Sequence, residues 1–126
     1  MVSDFGLSRV GQVFMPVRDL ERAVAFYRDV LGMHFLFEVP NMAFFELEGF
    51  RLLLGAREDG AGHPGSILYY SVDDLDSAHA ILVERGVTFE LEPTLIADME
   101  DHELMMAFFN DTEGNQLALM SEVAKG

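Results

Sequence analysis

Cysteine is absent from the 126-residue chain. Disulfides, thiolate metal sites and thiol nucleophiles are excluded together, and the four histidines are the only borderline metal ligands left. Basic side chains are also scarce: 8 Lys and Arg stand against 22 Asp and Glu, for a formal charge of −14. A surface this negative repels phosphate backbones and anionic bilayers, and no Lys or Arg cluster interrupts it, so neither nucleic acid nor membrane is expected as a partner. Small neutral or cationic ligands remain open. No apolar run reaches the length of about eighteen residues that a membrane helix needs. The opening Met1-Val2-Ser3-Asp4-Phe5-Gly6 has neither a basic nor an apolar targeting region, so the expected location is cytoplasmic. What is present suffices for a core: half the residues are hydrophobic, with 11 Phe and 3 Tyr.

The chain repeats itself. Val17-Arg18-Asp19-Leu20-Glu21-Arg22-Ala23 recurs as Val72-Asp73-Asp74-Leu75-Asp76-Ser77-Ala78, each copy following a strand-like run (Val10 to Val17, Ser66 to Val72). Asp19 and Asp74 are placed as helix N-caps, with Glu21 and Asp76 favourable to the helix dipole. Leu20, Ala23, Val24, Tyr27, Val30 and Leu31 form one apolar stripe of a single helix, and Gly32 and Gly86 stop the two helices. Three strand candidates follow each helix: Phe35 to Val39, Met42 to Leu47 and Phe50 to Leu54, then Thr88 to Leu91, Leu104 to Phe109 and Gln116 to Met120. Glu48-Gly49 and the turn Asp111 to Asn115 occupy matching places before the last strands. The sequence therefore predicts one domain, residues 1–126, of two tandem βαβββ modules (about 8–56 and 66–122) joined by a polar linker at 57–65.

The motif Val-x-Asp-Leu-x-x-Ala-x-x-Phe-Tyr-x-x-x-Leu-Gly at Val17 to Gly32, together with Asp-x-x-Gly-Asn at Asp111 to Asn115, resembles the vicinal oxygen chelate superfamily. That is the group of glyoxalases, bleomycin-resistance proteins and extradiol dioxygenases, and the resemblance runs from about Val10 to Glu122. It implies an α+β fold in which the modules form a cup-shaped, partly open eight-stranded mixed sheet around a pocket, and a homodimer. Function does not follow from the fold, which hosts enzymes and binding proteins alike.

Catalytic members of that family hold one divalent metal with a side chain on the first and the last strand of each module. The resemblance places those positions at Gln12, Leu53, Ile67 and Ala118, three of which have no lone pair to donate. No metal and no other cofactor is expected, and the metal-dependent chemistry of the family is not expected either.

Strand alternation groups the side chains that share a face with those positions. They are Gln12, Phe14 and Pro16; Arg51, Leu53 and Gly55; Ile67, Tyr69 and Ser71; and Gln116, Ala118 and Met120. The opposite set, Val13, Met15, Val17, Leu52, Leu54, Leu68, Tyr70, Val72, Leu117 and Leu119, belongs under the helices. The predicted cup is mainly apolar with a few polar anchors, as small-molecule sites are. Ala118→Phe should then fill open space at little cost.

Arg51 is read either as a partner of Glu46 or as a reader of an anionic ligand group. His102, in the acidic stretch Asp98 to Glu103, is either a base or ligand anchor oriented by Asp101, or a solvated loop histidine. His34, His63 and His79 have no converging ligands in the sequence, and Met99, Met105, Met106 and Met120 cluster near the second half of the cup. The leading expectation is a metal-independent binding protein that sequesters or senses a hydrophobic or cationic compound. The alternatives are a lyase or isomerase using His102 with Tyr69 or Arg51, a metalloenzyme whose ligands lie elsewhere than these positions, and a structural module with a vestigial pocket.

Overall fold

Asp19 and Asp74 cap their helices as predicted, in a computed structural model that describes residues 10–56 and 67–125. The linker at 57–65, with His63, lies outside the described residues. The Asp19 carboxylate accepts a hydrogen bond from the Arg22 amide at 3.1 Å, opening α1 (Leu20–Ala25), and Asp74 accepts one from Ser77 at 3.1 Å, opening α2 (Leu75–Glu84). Each bond satisfies an amide that the first turn leaves free. Asp74→Ala should therefore cost about 1 kcal/mol, read as a lowered denaturation midpoint at unchanged slope.

The first helix does not run on in α form to Leu31. After Ala25 it widens into a π-helical turn, Phe26–Val30, in which the Leu31 amide bonds to the Phe26 carbonyl at 3.0 Å. Apolar spacing alone does not distinguish the two, because the stripe is interrupted by a single extra residue. The turn seats Tyr27 wholly inside the core. Gly32 and Gly86 then end the helices in the left-handed region, at φ +72° and +98°, where a side chain would be strained.

Module 1 builds a sheet from β1 (Gln12–Val17), β2 (His34–Val39), β3 (Met42–Leu47) and β4 (Phe50–Ala56), in the order β1-β4-β3-β2. Module 2 repeats the topology with β5 (Leu68–Ser71), β6 (Phe89–Asp98), β7 (His102–Asn110) and β8 (Gln116–Ala124), ordered β5-β8-β7-β6. The β1/β4 and β5/β8 pairs are parallel and the others antiparallel. Among the described residues the fold is thus α+β, with eight strands in two four-stranded mixed sheets and no closed barrel. Among the described residues no helix is long and apolar enough to cross a membrane.

The first hairpin of module 2, β6 with β7, is longer than the sequence suggests. β6 runs to Asp98 past Pro93, the chain accommodating it through register shifts against β7. Proline lacks the ladder N–H, so it interrupts an alternation pattern although the strand continues through a bulge. His102 consequently opens β7 and is not a loop residue; the loop shrinks to Met99 to Asp101.

Alternation sorts the two faces of each sheet as expected. Met15, Val17, Leu52, Leu54, Leu117 and Leu119 are buried under the helices and join Tyr27, Phe45, Leu75, Leu82 and Phe109 in one core that both modules share. Among the described residues, the side-chain hydrogen bonds that cross between modules all arise on this helix side or at the turns. Tyr27 donates to Asp111 Oδ2 at 2.7 Å, Glu113 accepts from the Arg18 and Asp19 amides at 2.8 and 2.9 Å, and Arg85 Nη1 donates to the Val30 carbonyl at 2.8 Å. The helix-free face of each sheet takes no part in this contact.

Candidate binding faces

Cross-strand register aligns the helix-free face of module 1 in rows. Gln12, Arg51, Glu46 and His34 form one; Phe14, Leu53, Phe44 and Phe37 the next; Pro16, Gly55, Met42 and Val39 the third. Phe37 stacks on Phe44 with ring centroids 4.5 Å apart, and the Arg51 guanidinium lies 5.8 Å from the Phe44 ring centre. Arg51 and Glu46 stand opposite each other in register, yet they form no ion pair; the planar guanidinium takes the aromatic face instead. The Phe14 ring lies directly across Gly55, where a Cβ would displace it.

In module 2 the equivalent rows are Tyr69, Ala118, Phe108 and Leu91, then Ser71, Met120, Met106 and Thr94. Tyr69 meets Phe108 edge to face at 6.2 Å. Ile67 lies one residue before β5 and is exposed, and Gln116 opens β8 opposite Asn110. The large rings stand out from the sheets: Phe14 is 47% exposed and Tyr69 46%. Phe37, Phe44, Met42, Val39 and Phe108 were not singled out from sequence, although the same period-two count on β2, β3 and β7 would have found them.

Two expected lining residues are not at the surface. Leu53 is 8% exposed and Ala118 fully buried, each at the centre of a row of larger side chains. Neither belongs to the shared core under the helices, so both are covered from the helix-free side by neighbouring rings. The expectation that Ala118→Phe fills free space is thereby corrected: it overpacks the row and should cost about 1–3 kcal/mol, measurable by chemical denaturation.

The residues at the metal positions of the family do not fit a metal. Leu53, Ile67 and Ala118 present only carbon, and Gln12 offers a single neutral carboxamide. Among the described residues no group of three or more His, Asp or Glu side chains converges as a metal site.

The polar chemistry lies farther along module 2. His102 Nδ1 is 2.7 Å from Asp101 Oδ1, as in one of the two readings of the sequence, and its Nε2 is 3.6 Å from Glu122 Oε2. Alternation puts His102 and Glu122 on the helix-free face, about 13 Å along β8 from Ala118 at the usual rise per residue. The hydrogen bond from His102 holds the Asp101 carboxyl below its ordinary range. A carboxyl depressed in this way contributes stability above its unfolded pKa and loses it as pH falls through the lowered folded value. His102→Ala should move the Asp101 titration upward, an effect followed through its carboxyl carbon by NMR.

The sequence model of the glyoxalase/bleomycin resistance protein/dioxygenase superfamily matches residues 9–119. The chain belongs to that superfamily. A superfamily member from Sphaerobacter thermophilus DSM 20745 is 30% identical in its crystal structure, with a TM-score of 0.74 over 92% of this chain and 98% of that one. TnmS3, an antibiotic binding protein from Streptomyces sp. CB03234, is 27% identical at a TM-score of 0.74, covering 94% and 98%. Lactoylglutathione lyase from Agrobacterium tumefaciens is 20% identical at a TM-score of 0.76, covering 91% and 94%, a likeness of fold alone. The superfamily thus accounts for the duplicated βαβββ topology, while the solved neighbours include both an enzyme and a binding protein.

Proposed function

We propose that this superfamily member is a metal-independent small-molecule binding protein, which sequesters or senses a hydrophobic or cationic compound on its helix-free faces and works as a homodimer. The observation that carries the proposal is the half-exposed aromatic rings of the two rows, Phe14 in module 1 and Tyr69 in module 2, where three of the family's four metal positions hold carbon side chains. Aromatic faces attract flat apolar molecules and cations, and the charge of −14 concentrates cations around the protein. Gln12, Arg51, Ser71 and Gln116 supply polar anchors around them.

The same exposure supports the homodimer. Within one chain the modules meet through their helix sides, so each helix-free face is half a site, and a second copy can cover module 1 of one protomer with module 2 of the other. The antibiotic-binding neighbour supports the small-molecule class.

One observation favours a second reading, a metal-free lyase or isomerase. Asp101 fixes one ring nitrogen of His102, which leaves the other on the helix-free face beside Glu122, where it could take a proton from a substrate.

The test is a fluorescence titration of chelator-treated protein with ethidium, a flat aromatic cation. Saturable binding that is unchanged by the chelator is expected. Absence of saturation, or binding that returns only with added divalent metal, would overturn the proposal.

A further inference from the structure

The duplication makes the two module junctions comparable, and they differ. At one, the Asp111–Asn115 turn of module 2 seats on the first helix: Tyr27 bonds to Asp111, and Glu113 binds the amides of Arg18 and Asp19. At the other, the β3–β4 turn of module 1 faces α2. There the repeat puts Leu82 in the place of Tyr27, and Glu46 and Glu48 in the places of Asp111 and Glu113. Leucine cannot donate, so the corresponding bond does not form. Among the described residues, Arg85 Nη1 to the Val30 carbonyl is the one side-chain hydrogen bond across this junction.

The gap left is a cavity of about 590 Å³, inside the range of roughly 300–1,000 Å³ that small-molecule sites occupy. Met33, Tyr70, Ala78, Leu82 and Leu119 give it apolar walls. Tyr70 and Leu119 belong to the helix side of the module 2 sheet, back to back with Tyr69 and Ala118, so the body of this cavity is separate from the aromatic rows; Glu46 and His34, at the end of the first row of module 1, reach its rim. Its ionisable lining is two carboxylates, Glu46 and Glu48, the His34 imidazole, and one guanidinium, Arg85, which is already bonded to Val30.

We infer that the junction between β3–β4 and α2 is a second small-molecule site, taking an apolar body that ends in a protonated amine. The body replaces the side-chain contacts that Tyr27 and its partners make at the related junction, and the amine lies against Glu46 and Glu48. An occupant there braces the two modules against each other, as the Tyr27–Asp111 contact does on the opposite side.

The test uses three probes with one hydrocarbon body: 4-phenylbutylamine, 4-phenylbutan-1-ol and 4-phenylbutyrate, titrated into protein carrying 13C-methyl methionine and 15N amides. The amine should shift the Met33 methyl and the Gly32, Ala78 and Arg85 amides. It should bind about three- to fivefold tighter than the alcohol, the gain a partly exposed ion pair provides. The butyrate should bind most weakly. Glu46→Gln with Glu48→Gln should bring the amine down to the affinity of the alcohol, and Ala78→Phe should remove the Met33 shift for all three probes. The double glutamine variant disturbs no buried contact, so it decides the matter even where Ala78→Phe does not fold. Equal affinities for the three probes, shifts confined to Met42, Met106 and Met120, or no saturation would overturn the inference. Those three methyls report the helix-free faces, so failure here and failure of the ethidium titration are told apart.

Discussion

Asp111→Ala is expected to cost about 3–5 kcal/mol, a large part of the 5–15 kcal/mol that holds a domain of this size together. Asp111 is 7% exposed and accepts four hydrogen bonds. Oδ1 takes the Glu113 and Asn115 amides, both at 2.8 Å, and Oδ2 takes Asn115 Nδ2 at 2.9 Å and the Tyr27 hydroxyl at 2.7 Å. Alanine removes the acceptor of all four, leaving the Asn115 donors buried without a partner and the Tyr27 hydroxyl only the Met15 Sδ at 3.0 Å, and it frees the turn whose Glu113 holds the entry to α1. Burial first, and the Asp111 charge second, push the Tyr27 phenol far above its ordinary pKa, so it remains a donor throughout the working pH range. Tyr27→Phe removes donor and need together for that one bond and should cost only about 1 kcal/mol. Equilibrium denaturation of the two variants checks the ordering; an Asp111→Ala loss no larger than that of Tyr27→Phe would mean the turn does not hold the modules together.

The second large effect concerns Phe14→Asp combined with Tyr69→Asp. In a single chain both rings are about half exposed, and loss of the buried halves should cost the monomer on the order of 1 kcal/mol each, which leaves it folded. In the proposed dimer both become covered, and a symmetric pair brings four of them into the interface. Burying the remaining half of each ring contributes on the order of 1 kcal/mol, and each introduced carboxylate must also be desolvated. The double variant should therefore dissociate to monomers at micromolar concentration and bind ethidium at least about a hundredfold more weakly, near 2.8 kcal/mol. Light scattering and the fluorescence titration read the two effects. A variant that stays dimeric, or keeps its ethidium affinity, would place the interface or the site elsewhere.

Much of this architecture is legible in the sequence because duplication writes it twice. Asp19 and Asp74, Gly32 and Gly86, and the two turn glycines fix where helices and hairpins begin and end, and period-two alternation separates Leu52 and Leu54 from Arg51 and Leu53. Legibility fails where a residue's effect depends on what lies across from it. Nothing local to Tyr27 reports that its acceptor is Asp111, 84 residues away, or that the helix widens to bring the two together. The expected strand stops at Leu91 although β6 continues past Pro93, because the bulge that absorbs the proline is a property of the β6/β7 pair. Ala118 shares the predicted face, yet its burial is decided by the size of Tyr69 and Phe108 beside it. Arg51 faces Glu46 but turns to the Phe44 ring, a choice between two partners that register alone does not settle.

The methionines provide the most direct measurement of the central claim. Met42, Met106 and Met120 lie on the helix-free faces, whereas Met15 and Met105 pack with the shared core. In a 13C-methyl spectrum of chelator-treated protein, saturating ethidium should shift the first three and leave Met15 and Met105 in place. Shifts at Met15 and Met105 with Met42, Met106 and Met120 unmoved, or shifts that need an added divalent metal, would contradict metal-free binding on these faces.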